Sequence, residues 1–309
     1  MEKILETKNL SKKYKNQYAL KDVSVTIFKG DVYGLIGKNG AGKSTLLKIV
    51  TRLIVPSSGR VILFNSRSNA QWEHNLKRSG TVIEGPEAYD ALTAQQNLEY
   101  YCKLRGITNS KVVIDETLEL VGLESMGNKK YKNFSLGMKQ KLGIAIAVLA
   151  RPDLLILDEP LNGLDPIAIT EFRKMIRTLN RKKNMTIIIS SHILSELYQV
   201  ATRYGILNEG RLVKEISKED FDEMSQEYIV LITTQVSEAS RVLKENTSYP
   251  FKVVSKNQIN IFGKHHQIKE INKLLINQNI ELEEIHYFKQ DLEDYFTNLI
   301  LNNKGDKNE

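Results

Sequence analysis

The sequence predicts an α/β fold with a large first domain and a small α+β domain after it, and three observations carry that prediction. The first is the stretch Gly37-Lys38-Asn39-Gly40-Ala41-Gly42-Lys43-Ser44-Thr45, which fits the phosphate-loop pattern G-x-x-x-x-G-K-[ST] at every defined position. The second is a pair of apolar runs of buried-strand type with polar tips. Leu154-Leu155-Ile156-Leu157 ends in Asp158-Glu159-Pro160, and Met185-Thr186-Ile187-Ile188-Ile189 ends in Ser190-Ser191-His192. The third is a β-α-β-β-α-β order over residues 217–309, which predicts a ferredoxin-like unit.

The phosphate loop has the context it needs. Val32-Tyr33-Gly34-Leu35-Ile36 is an apolar run of strand length before it. After it, Leu46, Leu47, Ile49, Val50 and Leu53 recur at helical spacing. Glycines let the backbone curl so that several N–H groups point at one phosphate, and the helix start adds partial positive charge. In such a loop Lys43 reaches the β- and γ-phosphates and the Ser44 hydroxyl serves Mg²⁺. Nucleotide binding follows from this stretch, but the job it drives does not.

Earlier in the chain, residues 4–10 and 22–28 alternate as strands, with Lys29-Gly30-Asp31 as a turn. Tyr14 lies between those strands, placed to stack on an adenine ring, with Tyr18 as a competitor for the role. Beyond the loop helix, Pro56-Ser57-Ser58-Gly59 is a turn, residues 59–64 a short strand, and Thr81-Val82-Ile83 a further short run ending in Glu84-Gly85-Pro86. Residues 93–150 are mainly helical: Leu98, Tyr101, Cys102 and Leu104 share one face, Thr117, Leu118, Val121 and Leu123 the next, and a third helix runs over 137–148. Carboxylates at the tip of a central strand stand where open α/β sheets keep their ligands. Asp158 is suited to hold Mg²⁺ through water, and Glu159 to orient and polarise an attacking water. His192, at the next strand tip, is placed to donate to a γ-phosphate. A helix over 166–180, another over 193–200 and a strand pair at 204–207 and 211–213 complete the unit near residue 216.

Residues 217–309 read as strands at 228–233, 251–254, 258–262 and 280–286, with helices at 237–246 and 266–278. A last helix begins near Lys289, with Leu292, Phe296, Leu299 and Ile300 on one face, and residues 302–309 form a polar tail. His265, His266 and His286 lack ligand spacing with any acid or cysteine, so no metal site is expected there.

Composition narrows the classes. The 309 residues are 41% hydrophobic and 26% charged, ordinary for a globular chain. The single cysteine, Cys102, allows no intrachain disulfide. The N-terminus carries no apolar stretch of signal-peptide length, and the longest apolar run, residues 142–150, is too short to span a membrane. The net charge of +7 comes from lysines spread along the chain, so no nucleic-acid site is expected.

Between the loop and Asp158 stands Phe134-Ser135-Leu136-Gly137-Met138-Lys139-Gln140-Lys141-Leu142. This stretch resembles the L-S-G-G-Q signature of the ATP-binding subunits of ABC transporters. The rest follows in family order: Tyr14 at the adenine position, residues 37–45 as Walker A, 154–158 as Walker B, Glu159 as catalytic carboxylate, Asn162-Gly163-Leu164-Asp165 as D-loop and His192 as switch histidine. The resemblance implies an ATP hydrolase using ATP and Mg²⁺, with a helical subdomain at about 86–150. It further implies that Ser135, Leu136, Gly137, Met138, Lys139 and Gln140 meet the γ-phosphate of ATP held by a second copy, with Asp165 near that interface. The active form would then be a homodimer on the cytoplasmic side of the cell membrane, bound to a separately encoded permease whose coupling segment is received around residues 86–106.

Two departures from the family pattern stand out. The signature reads Ser135-Leu136-Gly137-Met138-Lys139, with Met138 departing from the usual pattern, and Glu84 takes the place of the usual Q-loop glutamine near Mg²⁺. The first is similar to the drug and peptide exporter branch of the family, and the second resembles the subunits of lantibiotic self-protection and bacitracin-type resistance exporters. Gln290-Asp291-Leu292-Glu293-Asp294-Tyr295-Phe296 also resembles the segment closing many subunits of this branch. An exporter of an ion, lipid or polysaccharide is the alternative. A soluble ABC ATPase of translation or repair, or a phosphate-loop kinase or GTPase, is a poorer fit, because one cassette, no heptad array and a signature motif are present.

Overall fold

β1 (Lys3–Tyr14) is long enough to serve several partners, and this organises the N-terminal part of the computed structural model. It pairs antiparallel with β2 (Gln17–Val23) along Leu10 to Tyr14, and with β3 (Thr26–Phe28) along Lys3 to Glu6. The chain must therefore bend to follow it. The strand expected over 22–28 breaks after Val23, with Asp22 at φ 54°. The described residues are 1–66, 69–126, 129–224, 227–263 and 265–288. One unit spans Met1–Lys218 and a second begins at Glu219.

β4 (Val32–Ile36) is buried at every residue and leads through the phosphate loop into α1 (Lys43–Val50). β5 (Ser58–Leu63) returns to pair with β1. α2 (Asn69–Lys77) is absent from the sequence expectation, because Trp72 and Leu76 are its only large apolar residues and give too little period. Trp72 nevertheless anchors it, 4% exposed. β6 (Ser79–Val82) follows, then three helices: α3 (Ala94–Arg105), α4 (Ser110–Val121) and α5 (Leu136–Val148).

Their ends are legible chemically. Thr93 and Gln96 form a reciprocal capping box, while Gly106 and Gly122 close α3 and α4 at φ 68°. One expectation fails: Leu104 is 69% exposed, and the buried face of α3 is Ala94, Asn97, Leu98 and Cys102. Leu104 stands two residues past Cys102, and residues two apart do not share a helix face.

β7 (Leu154–Leu157), α6 (Pro166–Lys183), β8 (Thr186–Ser191), α7 (Leu194–Tyr198), β9 (Arg203–Asn208) and β10 (Arg211–Ser217) complete the unit. The central sheet runs β10-β9-β4-β8-β7-β6, parallel except for the β9–β10 hairpin. β4, β7 and β8 are buried throughout, as unbroken apolar runs require of strands covered on both faces. Because β4, β8 and β7 are neighbours, their C-terminal tips stand side by side.

After α8 (Lys218–Met224), the second unit contains β11 (Tyr228–Ile232), α9 (Val236–Asn246), β12 (Phe251–Val253), β13 (Gln258–Ile261), α10 (Ile268–Asn277) and β14 (Glu284–Phe288). Its sheet runs β12-β13-β11-β14 with antiparallel neighbours. Ile229, Leu231, Leu243, Ile259, Ile261 and Ile271 centre its core. The last strand, expected from 280, begins only at Glu284. Ile280 is held instead at the end of α10, where its N–H donates to the Leu275 carbonyl at 3.1 Å. The helix expected from Lys289, the segment 290–296 and the polar tail lie outside the described residues.

Candidate nucleotide site

The loop between β4 and α1 has the shape its glycines allow. A Cβ on Gly37 would come within 2.5 Å of the Leu207 carbonyl oxygen, so only glycine fits there. Gly42 starts α1 at φ 107°, and a Cβ there would meet the Ala19 carbonyl oxygen at 2.6 Å. The Gly37 N–H donates to the Ser191 carbonyl at 3.3 Å, and the Ala41 N–H to Lys38 at 3.0 Å. Lys38, Asn39 and Gly40 are exposed at the crest, while Ser44 and Thr45 sit half-buried in the first turn of α1. That first turn holds no acidic residue, and no side chain caps it. An anion can therefore take its free N–H groups.

Lys43 is 5% exposed. Its Nζ donates to the carbonyls of Gly37 at 2.6 Å and Lys38 at 3.3 Å, and pairs with Glu159 Oε1 at 3.0 Å. The other Glu159 oxygen, Oε2, is 2.9 Å from His192 Nδ1. Three residues predicted from three separate motifs thus form one chain, Lys43–Glu159–His192. Glu159 holds φ 47°, a left-handed conformation unusual for a side chain of its size. Its N–H donates to Ser190 Oγ at 2.8 Å, and Ser190 Oγ donates to Asp158 Oδ1 at 2.6 Å. Ser190 is completely buried and joins both acids. In the sequence it stands out only as a neighbour of His192, although a polar residue ending an aliphatic strand is a usable signal.

The signature residues form a second group. Ser135 Oγ accepts from the Met138 N–H at 3.3 Å and so caps α5. A Cβ on Gly137 would be 3.3 Å from Ala168 Cβ, so the start of α5 packs closely on α6. Leu136 is half exposed, Lys139 Nζ lies 5.1 Å from the centre of the Tyr131 ring, and Met138 Sδ is 4.0 Å from Lys129 Nζ. Gln140 is buried with Oε1 unpartnered. Asp165 Oδ1 accepts from the Ala168 N–H at 2.9 Å and caps α6. Ser135, Gly137, Gly163 and Asp165 line a cleft of about 310 Å³. Among the described residues no hydrogen bond or ion pair joins this group to the Lys43 chain.

Two predicted residues stand apart. Tyr14, at the end of β1, is about half exposed, with Lys12 Nζ 5.0 Å above its ring; Tyr18 is similarly flanked by Lys13 and Lys21. Glu84, at φ 65°, forms an ion pair with Lys48 on α1. Lys48 carried no sequence signal as a site residue, being one lysine of many.

The donors suit magnesium. Among the described residues no group of three or more His, Cys, Asp or Glu gathers. The Ser44 hydroxyl and the Asp158 carboxylate are hard oxygens, and Mg²⁺ takes one or two carboxylates plus phosphates and waters.

A phosphate loop, an acidic strand tip and a histidine tip on adjacent parallel strands define a nucleotide-hydrolysing protein of the phosphate-loop class. The ABC transporter family profile matches residues 20–162, and the chain belongs to that family as an ATP-binding, ATP-hydrolysing subunit. It is 38% identical over 301 residues to the bacitracin transport ATP-binding protein BcrA of Bacillus licheniformis, covering 97% of this chain and 98% of that protein. It is 44% identical over 213 residues to the lantibiotic transport ATP-binding protein SrtF of Streptococcus pyogenes, covering 69% of this chain and 90% of that one. The dimeric post-hydrolysis structure of the ATP-binding cassette MJ0796 with ADP and Pi superposes with a TM-score of 0.62 at 25% identity, over 70% of this chain and 99% of that one. Among the described residues no helix is long and apolar enough to cross a membrane.

Proposed function

We propose that this chain powers export of a peptide antibiotic of the bacitracin or lantibiotic type through a separately encoded permease. The observation that carries the cargo class is the resemblance to BcrA, which extends over 97% of the chain and so includes the second unit. In this reading the chain works at the inner face of the membrane, held there by the permease.

The residues take the following roles. The first-turn N–H groups of α1 and Lys43 bind the β- and γ-phosphates, and Tyr14 stacks on adenine. Lys43 then exchanges Glu159 Oε1, now 3.0 Å away, for a phosphate oxygen and frees that carboxylate. Glu159 takes a proton from water as the water oxygen bonds to the γ-phosphorus. The bond from that phosphorus to the β–γ bridging oxygen breaks, leaving ADP and phosphate. His192 stays on Glu159 or donates to the γ-phosphate. Ser44 and Asp158 would hold Mg²⁺, which when bound neutralises phosphate charge. Ser135 and the start of α5 face the nucleotide of a second copy, with Asp165 beside them, so two chains close over two nucleotides. The strand order of the second unit supports a ferredoxin-like domain with a dimer-supporting or regulatory role.

The test is drug resistance. The chain is expressed with its permease in a sensitive bacterium, and survival on bacitracin and on a lantibiotic is compared with a Glu159→Gln variant. Resistance that needs Glu159 supports the reading. Wild-type chain and permease that protect against neither compound overturn the cargo class, and unchanged protection by Glu159→Gln overturns the engine.

A further inference from the structure

Lys48 and Glu84 form an ion pair that no motif accounts for. Lys48 lies on α1 four residues after Ser44, so the two side chains rise from one helix face with Cβ atoms about 5–6 Å apart. Glu84 sits in the turn after β6 and reaches across to that face. Lys48, which holds Glu84, therefore lies one helical turn along α1 from Ser44, whose hydroxyl is assigned to the metal. The pair is open to water, with Lys48 26% and Glu84 70% exposed. A pair so exposed is weak and exchanges readily. A glutamine at position 84 would be neutral and would leave this lysine without a counter-charge.

We propose that Lys48 is a positioning residue that holds the Glu84 carboxylate on α1 and competes with Mg²⁺–nucleotide for it. This rests on the nucleotide reading of the site. With nucleotide and metal in place, Glu84 leaves Lys48 for the divalent cation; without them, it returns. Glu84 is two residues before Pro86, whose carbonyl accepts from Tyr131 Oη at 2.8 Å. Removing Lys48 frees the carboxylate and strengthens metal-dependent binding, but only while residue 84 is acidic.

The experiment is an equilibrium titration on the full-length protein. A fluorescent, non-hydrolysable ATP analogue is bound at fixed concentration while MgCl₂ is raised, with a parallel titration of the analogue in EDTA. Wild type, Lys48→Ala, Lys48→Arg, Glu84→Gln and the double variant Lys48→Ala/Glu84→Gln are compared, and thermal melts verify folding. We expect Lys48→Ala to lower the half-saturating Mg²⁺ concentration about two- to fivefold, the size a weak exposed pair allows. Lys48→Arg stays near wild type, and Lys48→Ala has no effect in the Glu84→Gln background. An unchanged Mg²⁺ midpoint in Lys48→Ala, or an equal change in both backgrounds, overturns the proposal. So does weakened binding in EDTA confined to the Lys48 variants, which makes Lys48 a phosphate ligand. If wild type binds no analogue at all, the nucleotide reading fails instead.

Discussion

At the residue scale, Glu159 divides its two carboxylate oxygens between Lys43 and His192. In the proposed reading that arrangement keeps the base occupied until Lys43 finds a phosphate. Glu159→Gln keeps the shape and loses the basicity. We expect kcat for ATP hydrolysis to fall about 10²–10⁴-fold, with ATP binding measured by equilibrium titration retained. Ser190 makes a different prediction. Its hydroxyl holds both the Glu159 N–H and Asp158 Oδ1 while completely buried. Ser190→Ala leaves both partners short of a bond, and a loss of about 1–3 kcal/mol is expected. Denaturant unfolding measures that loss, and a fall in kcat at saturating ATP reports the slackened acids.

Among elements, α5 and β4 give separate tests. Ser135 both caps α5 and faces the cleft shared with Asp165. The cap by itself is worth about 1 kcal/mol. Ser135→Ala therefore lowers the melting temperature by a few degrees. Ser135→Asp keeps a capping oxygen and brings negative charge, so its stability stays near wild type while ATP-dependent dimerisation is lost. A light-scattering measurement beside the melt separates the two effects. β4 carries Tyr33, whose hydroxyl donates to Glu215 Oε1 on β10 at 2.8 Å. Burial first, and the Glu215 charge second, push its phenol well above the ordinary value of 10.0. The folded chain thus keeps the proton where the unfolded chain releases it. The stabilisation is whole below pH 10 and is lost as pH rises further. An alkaline series of denaturant melts on wild type and Tyr33→Phe checks this: the variant shows a shallower decline above pH 10.

For the whole molecule, the Lys43 chain and the signature cleft are separate groups on one unit, and in the proposed reading each is half of a nucleotide site. A single copy has no means of closing one on the other if the helical segment keeps this packing. We expect Glu159→Gln, with hydrolysis slowed and binding retained, to pass from one chain to two on adding Mg²⁺–ATP, and wild type to return to one chain as ATP is consumed. Sedimentation velocity measures both. A protein that stays single at saturating ATP contradicts the two-copy arrangement.

The sequence by itself determined the order of the parts. Phosphate loop, signature, acidic tip and histidine tip are local patterns whose chemistry depends on neighbouring residue types. The runs at 32–36, 154–157 and 186–191 are apolar enough to be read as covered strands. Weak or context-dependent signals fared worse. α2 has only Trp72 and Leu76 as large apolar residues, Leu104 faces water, and the chain breaks after Val23 because β2 and β3 pair with different stretches of β1. The tertiary structure alone decided who touches whom. Parallel neighbours β4, β8 and β7 bring Lys43, His192 and Glu159 within bonding distance although more than a hundred residues separate the first from the others. Strand order is a property of long-range pairing, which no local pattern encodes. For the same reason only the folded chain shows Ser190 between the two acids and Lys48 holding Glu84.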